Sequence, residues 1–423
     1  MPGSRGLRRI EQQWLVWLTF GLVIAVSGLF LVTGFWELAG KPWISLTVGV
    51  ALCTVGLWLA VAVTRRLFWE VLTWSPQEEK SPEMVKALQR GPKIVVVGGG
   101  SGLGTILRGL KHYTANLTAI VTVADDGGSS GRLRKEFGIL PPGDIRNCLI
   151  ALADLEPLME KLLQFRFNGG TGLAGHSFGN LFLAAMTEIE GDFEQAIRAS
   201  SQVLAVRGRV IPATLENVVL TAELDDGTVI TGESAIGQIP RRIRRLRLEP
   251  DDVSPVPQAI EAIKDADIII LGPGSLFTSV IPNLLVRETA EAIRASSAIK
   301  VYVCNAMTEY GETVGFTASD HVRAIIDHAG PDLIDYVLIN TREIPEALLE
   351  RYRKEGAEPV QPDTDKIREL GPIPLGAPLI LTKDYVRHDA DRLARIVLSI
   401  LRTQGKLGVK TRVVRRLRKV LKI

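Results

Sequence analysis

The stretch VVVGGGSGLGTIL (95–107) runs from an apolar strand pattern through five glycines into a helical pattern. A strand that feeds a helix through glycine is the opening unit of an α/β sheet, and the free amides at such a helix N-terminus form a place for an anion. Phosphate binding through Gly98, Gly99, Gly100, Ser101 and Gly102 follows as an expectation. The glycines satisfy GxGxxG in no register, and no lysine completes a P-loop, so neither a standard dinucleotide site nor an ATPase loop is predicted. A tight turn without a ligand is the other reading.

Beyond this loop, short apolar runs alternate with helical patterns: LTAIVTV (117–123), ADIIILG (266–272), KVYVCN (300–305), DYVLIN (335–340) and PLILTK (378–383). Strands apolar on both faces and separated by helices predict a mainly parallel sheet covered on two sides, an α/β fold. The segment ENVVLTAELDDGTVITGES (216–234) alternates with period two around Asp226-Gly227, the signal of a β-hairpin, and places a small β insertion at about 205–250. The arginine run at 241–247 alternates with apolar residues and reads as a solvated strand edge, which makes a nucleic-acid partner a distant reading.

The second strand ends in VADDGGSSGRLRKEFG, with Asp125 and Asp126 beside Gly127, Gly128 and Ser129 at the carboxyl edge, where open α/β sheets take ligands. The adjacent carboxylates suit Mg²⁺ against a phosphate, or one suits a sugar hydroxyl; an Asp-Gly turn is the bland alternative. PPGDIRNCL adds Asp144, Arg146 and Asn147, GHSFGN adds His176 and Asn180, and LGPGSLFTS adds Gly272, Gly274 and Ser275. CNAMTEYGET adds Asn305 and Thr308 past a further strand. His176 suits either a general base or a structural hydrogen bond.

The 423 residues are 46% apolar, but the excess sits in two uncharged runs, Trp14 to Trp36 and Trp43 to Val63. As a helix the first spans about 34 Å, enough for a bilayer core of about 30 Å. It exceeds a signal-peptide core and lacks a cleavage site, and neither run carries the polar stripe of a surface helix. Arg8, Arg9, Arg65 and Arg66 flank the pair, so the positive-inside rule predicts a transmembrane hairpin with the large domain in the cytosol. Residues 1–70 are thus expected to be the hairpin, 71–92 a linker, 93–390 the folded domain and 391–423 a basic tail. That tail, with eleven Lys or Arg and no acid from Arg392 onward, leaves the rest of the chain net acidic. It is amphipathic from 406 and suits the anionic membrane surface, a solvated extension being the alternative. Cys53, Cys148 and Cys304 are far apart and without CxxC spacing, which suggests neither a disulfide framework nor a thiolate zinc site.

The long motifs VVVGGGSGLGTILRGLK, IVTVADDGGSSGRLRKEFGILPPGDIRNCL, GHSFGN, RGRVIPATLEN, LGPGSLFTSVIPNLLV and VCNAMTEYGET, in this order over about residues 93 to 390, resemble the YvcK-like gluconeogenesis factors. The resemblance implies a Rossmann-like three-layer domain and binding of UDP-N-acetylglucosamine (UDP-GlcNAc) or a related nucleotide sugar. It also implies regulation of cell shape and envelope synthesis during growth on gluconeogenic carbon, through an unspecified protein partner. A more distant resemblance is to 2-phospho-L-lactate transferase, CofD, where an Asp matching Asp125 or Asp126 organises metal and acceptor. The chain carries GPGSLFTS in place of that enzyme's GPSNP pattern. A regulatory binding protein is therefore expected before a phospho-group transferase, with Mg²⁺ at Asp125 or Asp126 in the enzyme reading.

Overall fold

The computed structural model describes residues 23–27, 29, 42–73 and 82–403, apart from 155, 156, 171 and 240. The chain divides into two compact units, Met1–Ser81 and Pro82–Ile423.

In the first unit, Pro42–Thr73 forms one 32-residue helix that carries the second apolar run and continues through Arg65, Arg66 and Glu70. Cys53 Sγ donates to the Ala25 carbonyl at 3.4 Å, so a piece of the first run lies beside the middle of this helix. Among the described residues no helix is long and apolar enough to cross a membrane. The two-span hairpin expected from the sequence is thus not shown, and most of its first span lies outside the described residues.

In the second unit, seven strands form one parallel sheet: β1 (Ile94–Gly98), β2 (Leu117–Val121), β3 (Arg209–Pro212), β7 (Ile268–Leu271), β8 (Ile299–Val303), β9 (Tyr336–Asn340) and β10 (Ile373–Ala377). The order β10-β9-β8-β7-β1-β2-β3 puts the first strand in the interior, and every adjacent pair is parallel. Read from the other edge, this is the doubly wound Rossmann order with a seventh strand added. Each residue of β1, β2, β7 and β8 is buried, as helices on both faces require. The chain reverses direction across the sheet between β1 and β7. The carboxyl ends of these two strands are the switch point, the place where open α/β sheets take ligands.

Two strands differ from the sequence expectation. The run at 378–383 is not a core strand: Ile380–Thr382 (β11) pairs antiparallel with Val386–His388 (β12) in a separate hairpin. Its place at the sheet edge belongs to β10, whose Pro374 lacks an N–H and whose Gly376 lacks a side chain, both tolerated at an edge. The insertion has three antiparallel strands rather than a lone hairpin: β4 (Val219–Leu224), β5 (Val229–Thr231) and β6 (Ile243–Glu249), in the order β5-β4-β6. Its turn is the expected Asp226-Gly227, with Gly227 at φ +82. In β6, Ile243, Leu246 and Leu248 are buried while Arg244, Arg245 and Arg247 are exposed.

The packed unit also reaches beyond both expected boundaries. Helix Pro82–Gln89 lies in the expected linker, yet Leu88 is buried and its carbonyl accepts from Ala115 N at 3.0 Å. Helix Ala390–Thr403 buries Leu393, Ala394, Val397, Leu398, Ile400 and Leu401. It runs so close to helix Gly100–Leu110 that a Cβ on Gly109 would lie 2.1 Å from the Ala390 carbonyl. The folded unit therefore passes position 390, where the tail was placed; the amphipathic segment from 406 lies outside the described residues.

Candidate functional site

The crevice at the carboxyl edge is built from two loops that touch. After β1, Gly99 is extended and Gly100 turns to φ +65, a conformation glycine adopts without strain, to start helix Gly100–Leu110. After β7, Gly272 (φ +76) and a cis Gly272-Pro273 bond lead into a wide helical turn, Leu276–Val280. A Cβ on Gly102 would sit 2.5 Å from the Pro273 carbonyl, and one on Gly274 would sit 3.2 Å from the Gly99 carbonyl. Only glycine lets the backbones close to this distance. Asn283, fully buried, ties them from beneath: its Nδ2 donates to Gly98 O at 3.1 Å and to Ser279 O at 2.7 Å.

Asp144, on helix Pro142–Leu152, closes one side; a Cβ on Gly99 would lie 2.5 Å from its Oδ2. Burial, reinforced by Asp125, lifts its carboxyl to about 6 against the pull of the Gly100 amide and Arg146. Asp125 Oδ1 accepts from Gly127 N at 2.9 Å, and Asp126 Oδ1 accepts from Ser234 N at 2.9 Å. The adjacent pair thus serves two separate backbone amides, the second one in the insertion.

Behind this edge lies a polar network. Arg146 donates to Ser177 Oγ, to Asn180 Oδ1 at 2.8 Å and to Asn147 Oδ1 at 2.8 Å. Asn180 Nδ2 donates to Ser129 Oγ at 3.0 Å, and His176 Nδ1 meets the same hydroxyl at 3.0 Å. His176 is buried, and burial followed by Arg132 lowers its pKa. Of its two expected roles, the geometry is that of a structural hydrogen bond.

The far wall follows β8. Glu312 accepts from Phe277 N at 3.0 Å and Thr278 Oγ1 at 2.8 Å, while Glu309 takes the hydroxyl of Ser275 and Asn305 Nδ2 at 2.9 Å. These carboxyls hold the second glycine loop in shape. Burial, then Glu309, lifts Glu312 to about 8, and burial raises Glu309 as well. Thr308 faces the scaffold instead, exchanging hydrogen bonds with Glu358 at 2.7 and 2.8 Å.

Sequence reasoning missed Glu233, which opens the short helix Glu233–Ile236 of the insertion. Burial, then Asp125, Asp144, Glu312 and Asp126, lift its carboxyl to about 9, so it holds a proton at neutral pH. Glu233 directly follows Gly232 and Asn283 lies in LGPGSLFTSVIPNLLV, yet only the three-dimensional closure brings their side chains to the crevice.

Among the described residues no group of three or more His, Cys, Asp or Glu converges on a metal position. Mg²⁺ needs less: it retains several waters and takes one or two carboxylates with ligand phosphates. Asp125, with Oδ2 free of the Gly127 amide and coupled to Asp144, fits that demand. A separate hollow of about 660 Å³ lies at the opposite, amino-terminal edge of the sheet, lined by Arg294, Lys300, Asp335 and Ile373 among others. Helix carbonyl ends point there, and Arg294 caps the Ala329 and Pro331 carbonyls, so it lacks the amide donors of the crevice.

The sequence profile of the family described as 2-phospho-L-lactate transferase CofD matches residues 94–380. A gluconeogenesis factor of Bacillus subtilis is 50% identical over 312 residues, 74% of this chain and 98% of that one. A gluconeogenesis factor of Halalkalibacterium halodurans is 52% identical over 306 residues, 72% and 95% of the two chains. A putative gluconeogenesis factor of Nostoc sp. is 56% identical over 316 residues, 74% and 69%. The crystal structure of a UPF0052 family member from Bacillus halodurans superposes with a TM-score of 0.71 at 50% identity, covering 73% of this chain and 99% of that one.

Proposed function

This chain belongs to the CofD-related family of YvcK-like gluconeogenesis factors, and on that premise we propose that it is a membrane-tethered regulator that binds a nucleotide sugar such as UDP-GlcNAc. The observation that carries this reading is the contact of two glycine loops at the switch point between β1 and β7. The loops meet beside the N-terminus of helix Gly100–Leu110, an arrangement suited to a diphosphate. The acid-lined walls beside it suit the hydroxyls of a sugar. On this reading the occupied state reports precursor supply to a protein partner that acts on cell shape and envelope synthesis during gluconeogenic growth.

The tether rests on the apolar runs and on exposure: Leu46, Val50, Val55, Leu57, Trp58 and Val61 all stand at least half exposed or close to it on one helix, which water disfavours and lipid accepts. The arginines that flank the runs support a cytosolic position of the large unit at the cytoplasmic membrane. Asp125 beside Asp144 favours a second reading, a phospho-group transferase that carries Mg²⁺ there and moves a phosphorylated group to a hydroxyl.

Isothermal titration of the full chain in detergent with UDP-GlcNAc tests the proposal, alongside Asp125→Asn/Asp126→Asn. Losing charged acceptors lowers affinity about ten- to a hundredfold, at an unchanged Tm because Asn keeps the Oδ1 acceptors. No heat from the wild type refutes nucleotide-sugar binding. Turnover of the bound ligand in the presence of Mg²⁺ and a hydroxyl acceptor favours the transferase.

A further inference from the structure

Glu233 Oε2 and Asn305 Oδ1, in walls of the crevice, have no hydrogen-bond partner among the described residues; Asn283 Oδ1, beneath the glycine loops, is a third such oxygen. Asn305 is only 9% exposed, and its Nδ2 is already committed to Glu309. Glu233 and Asn305 belong to walls that meet. Glu233 opens the insertion's short helix; Gly237, just past its end, packs against Gly311 of the loop that follows Asn305, where a Cβ would come within 2.3 Å of the Gly237 carbonyl. The insertion is pinned on its other side by Ser234 N on Asp126.

A buried acceptor without a donor is costly, and a ligand group that brings an N–H or O–H removes the cost. Asn305 Oδ1 can only accept, and a phosphate brings it no donor. The phosphate would also face Asp125, Asp144, Glu312 and Asp126, the charges that bear on Glu233, all of them acids. Sugar hydroxyls and an acetamido N–H bring several donors and no charge. We infer that Glu233 and Asn305 form the sugar-reading half of the crevice, so that the ligand lies with its diphosphate on the glycine loops and its sugar under the insertion. The inference rests on the nucleotide-sugar reading and adds to it an orientation and a specificity residue. The proton held by Glu233 fits this role, because a neutral carboxyl offers a hydroxylated ligand both a donor and an acceptor.

Titration of the full chain in detergent with UDP-GlcNAc and with UDP, for wild type, Glu233→Ala and Glu233→Gln, tests it. Glu233→Ala weakens UDP-GlcNAc by about five- to tenfold and leaves UDP within about twofold. Glu233→Gln, a neutral amide of the same shape, restores UDP-GlcNAc to within about threefold of wild type. Equal weakening of both nucleotides by Glu233→Ala, or weakening of neither, overturns the inference while the nucleotide-sugar reading stands. A wild type that binds UDP but gains nothing from the sugar also overturns it. A wild type that binds neither refutes the parent reading and this one together.

Discussion

Gly102→Ala sets local helix preference against the contact of the two glycine loops. Alanine in place of glycine inside a helix is worth about 1 kcal/mol by propensity alone. Against this, the new Cβ would stand 2.5 Å from the Pro273 carbonyl oxygen, 2.9 Å from its carbon and 3.1 Å from Gly274 Cα. All three are backbone atoms, so no side chain can swing away. Ordinary contact requires about 1 Å more room, and such overpacking costs about 1 to 3 kcal/mol. The net change in stability is then about zero to 2 kcal/mol, a fall in Tm of several degrees at most at about 2 to 4 °C per kcal/mol. Binding suffers more, because a phosphate shared by both loops loses at least one charge-assisted hydrogen bond when they separate. At about 1.5 to 3 kcal/mol this lowers UDP-GlcNAc affinity roughly ten- to a hundredfold. Gly104→Ala on the same helix is the control: its Cβ meets Asn147 O at 3.5 Å and Ala151 Cβ at 3.6 Å, ordinary contacts. It should raise Tm slightly and leave affinity alone. Calorimetric titration with scanning calorimetry measures both quantities. A Gly102→Ala protein that binds like wild type and melts no lower refutes the reasoning.

Other expectations follow from boundaries and charge. A fragment beginning at Pro82 is soluble and folded, whereas one beginning at Lys93 loses the burial of Leu88 and melts about 3 to 6 °C lower, as scanning calorimetry reads directly. Aggregation of the Pro82 fragment would show that the apolar excess is not confined to the first unit. For Asp144, the folded carboxyl titrates near 6 against an ordinary 3.8, so between these values the unfolded chain releases a proton that the folded one keeps. Stability from this group is full below about pH 4 and is lost as pH rises to about 6. Asp144→Asn keeps an acceptor for the Gly100 amide without that loss, so its Tm advantage over wild type widens from pH 4 to pH 6 and then levels. A constant Tm difference across that range counts against burial as the cause.

What the sequence disclosed depended on how local each signal is. Val95, Val96 and Val97 followed by Gly98 to Gly100 are contiguous, and they announce the central strand and its loop without reference to the rest of the chain. Edge strand β10 escaped notice because Pro374 and Gly376 dilute its pattern, while Ile380–Thr382 looked more strand-like and proved to belong to a small hairpin. Arg392, Arg395 and Arg402 made 391–403 resemble the tail, although the buried stripe from Leu393 to Leu401 faces the core. The Asp125-Asp126 pair was visible, but its division of labour was not, since Asp126 finds Ser234 108 positions later. Glu233 and Asn283 lie in stretches whose pattern is legible, yet nothing local sets them apart from their neighbours. Their placement is a product of tertiary closure, which pattern and propensity do not encode.

The position of β1 between β2 and β7, and the closure of helix Ala390–Thr403 over the helix that β1 feeds, impose an order on biosynthesis. The ribosome releases an interior strand of the sheet first and the piece that covers its helix last. At about 5 to 20 residues per second, roughly 15 to 60 seconds pass between the synthesis of β1 and that of residue 403. Until then the helix after β1 lacks the C-terminal helix that packs against it. A stop codon anywhere before that helix leaves the first glycine loop's helix uncovered, so truncated products are fit for proteolysis rather than for partial function.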